Sequence, residues 1–170
     1  MAKLNKEEIL DMVEKNAVEA QKRDDICARS TMYGLKSYFD FIPEEMVTAT
    51  LSLAGGAGAS SGSCGAYCSG LLAVGLKFNP AMAEETTKEG LRERKMAVRK
   101  FHEYRDAFLR EFGTTLCPEL QKKIFGRSFD FLNEKDARDF FAIHDRAEKC
   151  AAVVAKATRL AAEMMLEDEE

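Results

Sequence analysis

The chain has 170 residues and a mass of 19.0 kDa, with 46% hydrophobic residues, 32% charged residues and a formal net charge of -4. A chain of this length buries roughly two-thirds of its unfolded surface in one domain without covalent staples, and its composition excludes a wholly disordered or collagen-like chain. The 29 acidic residues outnumber the 25 basic ones and no Lys/Arg block offers a footprint for a phosphate backbone, so nucleic acid is not expected as a partner.

The opening residues, Met1-Ala2-Lys3-Leu4-Asn5-Lys6-Glu7-Glu8, lack the apolar run of a secretory signal, and no stretch approaches the ~20 apolar residues of a membrane span. A cytoplasmic protein with no membrane insertion is expected. From Lys6 to Arg23, Ile9, Leu10, Met12, Val13 and Ala17 recur at helical spacing, which predicts an amphipathic helix. A second helix is predicted from Asp24 through Cys27 and Tyr33 to Phe39, ended by Pro43, which biases Ile42 away from helical angles. A third runs from Pro43 to Leu53, with proline tolerated in the first turn.

The run Gly55-Gly56-Ala57-Gly58-Ala59-Ser60-Ser61-Gly62 breaks any helix, because its glycines open positive φ angles, and reads as a loop. Ser63 is placed to cap a following helix, Cys64 to Leu76, whose end is marked by Gly75 and Asn79-Pro80. A long helix from Glu84 to Phe112 carries Leu91, Val98, Phe101, Phe108 and Phe112 along one face, and Gly113 stops it. Shorter helices are predicted over Glu119 to Ile124, Glu134 to Ile143 and Asp145 to Leu166. The acidic end, Glu167-Asp168-Glu169-Glu170, reads as a solvated helix terminus. No strand-like alternation or repeat appears, so the predicted fold class is all-α: a compact multi-helix bundle with a glycine-rich loop preceding a central helix.

Five cysteines, at 27, 64, 68, 117 and 150, carry the chemistry. In a reducing cytoplasm they point to metal binding or thiol redox chemistry rather than to structural bridges. Cys64 falls where the loop meets a helix N-terminus, whose free N–H groups and dipole favour a thiolate, so Cys64 is predicted as a nucleophile or a metal ligand. Cys68 lies one turn further on the same helical face. Its Cβ is about 5 to 6 Å from that of Cys64, too far for an unstrained disulfide at ~3.8 Å, whereas a metal with bonds of ~2.3 Å spans the pair more easily.

The order of these elements resembles the redox-active protein family named for one Cys, a Gly/Cys/Ala-x-x-Gly box and two later Cys residues. The resemblance runs from about Glu7 to Ala161. Cys27 stands as the first cysteine and Cys64-Gly65-Ala66-Tyr67-Cys68 as the box. Cys117, in Phe112-Gly113-Thr114-Thr115-Leu116-Cys117-Pro118, and Cys150, in Cys150-Ala151-Ala152-Val153-Val154, follow. The sequence departs from the pattern in having Ser69 where the box has glycine, with Gly70 one place later, and in carrying Cys68. The resemblance implies a helical domain in which Cys27, Cys64, Cys117 and Cys150 converge as ligands of an iron-sulfur cluster, or of zinc, for electron transfer or redox sensing with a redox partner that no residue pattern identifies.

The alternative is a metal-free thiol-disulfide oxidoreductase in which Cys64 attacks a disulfide or peroxide and a second cysteine resolves the intermediate, Cys68 being nearest in sequence and Cys27 or Cys117 less strained. In either reading Gly58, Gly62 and Gly65 are expected to approach the sulfur site and donate N–H groups as an anion nest. A dinucleotide site is disfavoured, because Ser61 replaces the third glycine and no strand-helix alternation follows. His102 and His144 read as surface residues. The Phe-rich stretches around Phe125, Phe129, Phe131, Phe140 and Phe141 read as core or homodimer contact rather than as a cofactor box.

Overall fold

The computed structural model describes residues 4–167; Met1, Ala2 and Lys3 of the opening segment and Asp168, Glu169 and Glu170 of the acidic end lie outside the described residues. Among the described residues there are eight α-helices and no strand. Helix α1 (Lys6–Asp24) starts with a capping box in which the Asn5 side chain accepts from the Glu8 N–H at 3.0 Å and Glu8 accepts from the Asn5 N–H at 2.8 Å. It buries Ile9, Leu10, Val13, Ala17 and Gln21 on one face and ends at Asp25 in the left-handed conformation, φ 53.

Helix α2 (Cys27–Lys36) packs against α1 at Gly34, where a Cβ would fall 2.5 Å from Ala17 Cβ and 2.6 Å from the Val13 carbonyl. The predicted third helix is split: α3 (Glu44–Ala49) tightens into a 3-10 turn, Thr50–Leu53, where the buried Thr50 hydroxyl donates back to the Val47 carbonyl at 2.8 Å. After the glycine loop comes α4 (Gly65–Phe78), then α5 (Lys88–Phe112), α6 (Cys117–Phe125), α7 (Glu134–Phe141) and α8 (Arg146–Leu166). Helix α4 is central, in contact with α2, α5 and α8, while α1 lies across α2 and α8. Val13, Met32, Leu35, Val74, Tyr104, Phe108, Val154 and Met165 form the core between them, all without solvent exposure.

Several sequence expectations are corrected. Ser63 does not cap α4: Cys64 holds the N-cap position without a side-chain hydrogen bond, and Ser63 is engaged in an isolated antiparallel bridge with Leu116. Gly75 does not end α4, which continues to Phe78. Helix α5 starts at Lys88 rather than Glu84, because the Thr87 hydroxyl accepts from the Gly90 N–H at 3.0 Å and sets the first turn. Leu91 and Val98 are exposed; at about 100° per residue they stand roughly 80° to 100° round the helix from Phe108, outside the stripe that Ala97, Tyr104 and Phe108 bury. His102 and His144 are exposed, as read from the sequence, and Glu167, at the end of α8, pairs with Lys100 at 2.9 Å.

Gly70, the glycine one place beyond the expected box position, is sterically required. A Cβ there would stand 2.0 Å from the Tyr104 hydroxyl and 2.7 Å from its ring carbon, inside the packed core. Tyr104 cannot retreat easily, since its hydroxyl donates to the Tyr67 carbonyl at 3.3 Å and its ring stacks on Tyr67 at 5.5 Å. Gly70→Ala is expected to cost about 1–3 kcal/mol by overpacking, and Tyr104→Phe added to it should recover part of that loss. Urea unfolding checks the pair, and simple additivity of the two losses would contradict the steric cause.

Candidate functional site

Three of the five cysteines stand where helices begin. Cys27 is the first residue of α2, Cys64 caps α4, and Cys117 is the first residue of α6, followed by Pro118, whose missing N–H has no role in the first turn. Cys150 lies in the second turn of α8. The starts of α4 and α6 are tied together by two backbone bonds, from Cys64 N–H to the Thr115 carbonyl at 2.7 Å and from Cys117 N–H to the Gly62 carbonyl at 2.9 Å. Helix N-termini carry unpaired N–H groups and partial positive charge, so the local field at this junction favours a thiolate.

Between the two neighbouring sulfurs the thiolate is favoured at Cys27, whereas the sequence alone pointed to Cys64. The Cys64 thiol hydrogen-bonds the Cys27 sulfur, and backbone N–H groups of Gly55, Ala66 and Ala28 also point at it; together these outweigh burial and lower the Cys27 pKa to about 7. Cys64, as the donor to that sulfur and itself buried, is pushed well above the usual thiol range. A helix terminus favours the charge at both positions, but only one of two touching sulfurs can carry it. Burial and the charge on Cys27 push Cys117 up to about 12, and Cys150 rises for the same reasons.

Gly65 makes this contact possible. A Cβ at Gly65 would lie 2.6 Å from the Leu53 carbonyl, 2.9 Å from Ala28 Cβ and 3.1 Å from the Cys27 sulfur, so any side chain there would separate α2 from α4. The loop before it is strained: Ala57, Ala59 and Ser61 adopt φ of 61°, 59° and 60°, at roughly 1–2 kcal/mol for each non-glycine residue. It is held by bonds from Gly58 N–H to the Ser52 carbonyl at 2.7 Å and from Gly62 N–H to the Gly56 carbonyl at 2.9 Å. The N–H groups of Gly58 and Gly62 therefore serve the loop itself, and Gly55, at φ 66, is the loop residue that reaches the sulfur.

Cys27, Cys64, Cys117 and Cys150 line one cavity of about 350 Å³, together with Gln21, Asp25, Leu120, Ile124, Phe131, Phe140 and Phe141. Cys68 does not share it. Its sulfur lies 3.9 Å from the Ser63 carbonyl and borders a separate groove with Leu71, Leu72 and Phe101, and burial raises its pKa. Among the described residues, no group of three or more His, Cys, Asp or Glu side chains is placed to hold a single metal ion.

Sequence reasoning missed three contributors to the cavity. Gln21 falls on the apolar stripe of α1, at the spacing of Leu10, Val13 and Ala17, and a polar residue on a buried stripe is the signal that marked it. Asp25, the left-handed cap of α1, pairs with Arg146 at 2.7 Å. The Phe-rich stretches do pack together, with Phe131 and Phe140 ring centroids 5.0 Å apart, and they also wall the cavity.

A thiolate absorbance should therefore appear as pH rises through about 7. Alkylation of Cys27 should rise over the same interval and level off above it. Cys27→Ser should abolish the step, and Cys64→Ala should move it to higher pH by removing the S–H donor. Ultraviolet titration reads both, and a step that survives in Cys27→Ser contradicts the assignment.

A search of curated proteins and a search of solved structures each return no match. A family model described as "Putative redox-active protein (C_GCAxxG_C_C)" matches residues 26–164, which include all five cysteines, the glycine loop and the Cys64-Gly65-Ala66 box. The chain belongs to this redox-active protein family.

Proposed function

We propose that Cys27 and Cys64 form a redox-active dithiol. The observation that carries this reading is the placing of the Cys27 and Cys64 sulfurs side by side on one cavity, where α2 and α4 approach at Gly65, with backbone N–H groups of Gly55, Ala66 and Ala28 directed at Cys27. Cys27, as thiolate near neutral pH, attacks an oxidised substrate; Cys64 then attacks the sulfur of the resulting Cys27 adduct. The pair gives up two electrons and closes as a disulfide, and a reducing dithiol partner returns it to the resting state. Cys117 and Cys150, held protonated by burial, stay neutral beside it. In a reducing cytoplasm the resting state is the dithiol; among the described residues no helix is long and apolar enough to cross a membrane.

The competing reading is an iron-sulfur or zinc centre held by Cys27, Cys64, Cys117 and Cys150. What favours it is their shared cavity; against it stands the absence, among the described residues, of a metal-holding arrangement. Anaerobic purification with iron, zinc and sulfide analysis, followed by thiol counting before and after oxidation with diamide, separates the two. The dithiol predicts no stoichiometric metal and the loss of two thiols per chain, which Cys27→Ser and Cys64→Ser each prevent. Stoichiometric metal, or unchanged thiol loss in Cys27→Ser, would contradict it.

A further inference from the structure

The cavity beside the dithiol has a wall chemistry that the cysteines alone do not explain. Leu120, Ile124, Phe131, Phe140, Phe141 and Val153 line it, and its volume of about 350 Å³ lies within the range of small-molecule sites. Phe141, 59% exposed, stands at its solvent edge. Within this apolar lining sits one polar side chain with an unanswered atom. Gln21 is 1% exposed, its Nε2 donates to Asp25 Oδ1 at 3.1 Å, and its Oε1 is buried without any hydrogen-bond partner. Because a carboxylate accepts only from an N–H or O–H, Asp25 fixes which end of the amide is the nitrogen, and the oxygen is left requiring a donor.

Three common classes of molecule oxidise a dithiol: disulfides, quinones and hydroperoxides. The reacting bonds of the first two carry no hydrogen-bond donor, whereas a hydroperoxide carries an O–H on the oxygen that sulfur attacks. We propose that this cavity binds organic hydroperoxides of apolar skeleton, with Gln21 Oε1 accepting from the hydroperoxide O–H and the Phe131, Phe140 and Phe141 rings enclosing the carbon body.

The proposal rests on the Cys27–Cys64 dithiol and names its substrate class. The Cys27 thiolate attacks the terminal oxygen, the O–O bond breaks, and Cys27 becomes a sulfenic acid. The departing alkoxide takes the proton of the Cys64 thiol and leaves as an alcohol. Cys64 sulfur then attacks the sulfenic sulfur, an S–S bond forms, and the displaced hydroxide takes a proton from solvent as water. One hydroperoxide is reduced by two electrons to alcohol and water, and the two cysteines are oxidised by two electrons to a disulfide.

The test is single-turnover thiol loss in the reduced full chain with cumene hydroperoxide, hydrogen peroxide or diamide. Cumene hydroperoxide is expected to react at least about tenfold faster than hydrogen peroxide, the scale of burying one small apolar group. Gln21→Leu should cut the cumene hydroperoxide rate by about tenfold, the scale of one hydrogen bond. Phe141→Ala, at an exposed position that folding tolerates, should lower the ratio of cumene hydroperoxide to hydrogen peroxide rates severalfold. Closure by diamide without preference for cumene hydroperoxide, or a ratio unmoved by Phe141→Ala, overturns the substrate class and leaves the dithiol standing. Failure of every oxidant to bridge Cys27 and Cys64 overturns both.

Discussion

The close approach of α2 and α4 at Gly65 is the constraint from which the site follows. With no side chain between them, the Leu53 carbonyl, Ala28 and the Cys27 sulfur all lie within 3.1 Å of where a Cβ would stand. That approach brings the first residue of α2 against the cap of α4, two helix starts whose fields reinforce one another. The contact between Cys27 and Cys64 is thus a product of backbone packing, set before any thiol chemistry occurs.

The glycine loop completes the environment at an energetic cost. Its run of positive φ angles, including three at non-glycine residues, turns the chain so that Gly55 presents its N–H to Cys27 and the loop end can pair with the start of α6. Strain of this sort persists where surrounding contacts over-determine it, here through bonds to the Ser52, Leu53 and Ala54 carbonyls. One sulfur is consequently charged near neutrality while Cys64, Cys117 and Cys150 stay protonated, because burial among apolar side chains opposes a second charge in the same small space.

Much of the architecture was legible in the sequence because hydrophobic period and stop signals are local. The amphipathic pattern of α1, the break at Gly55 and the stop at Gly113, which adopts φ 71, all lie within a few residues of what they determine. The gathering of Cys27, Cys64, Cys117 and Cys150 at one cavity was expected from the family resemblance and not from spacing. What the sequence could not carry was the choice between touching groups. Cys64 and Cys27 both begin helices, and which one holds the proton depends on N–H donors from Gly55 and Ala66 that only the fold brings together. Cys68 shared a helical face with Cys64 on paper; in the fold it borders a different groove, since a residue at the cap points away from the helix body that carries its neighbour.

The central assertion is that the reacting sulfurs are those of Cys27 and Cys64. Peptide mapping of the oxidised chain, with free thiols blocked before digestion, tests it most directly. A single bridge joining the Cys27 and Cys64 peptides, with Cys68, Cys117 and Cys150 recovered blocked, is the predicted result. A bridge from Cys64 to Cys68, or from Cys117 to Cys150 with Cys27 free, would contradict it.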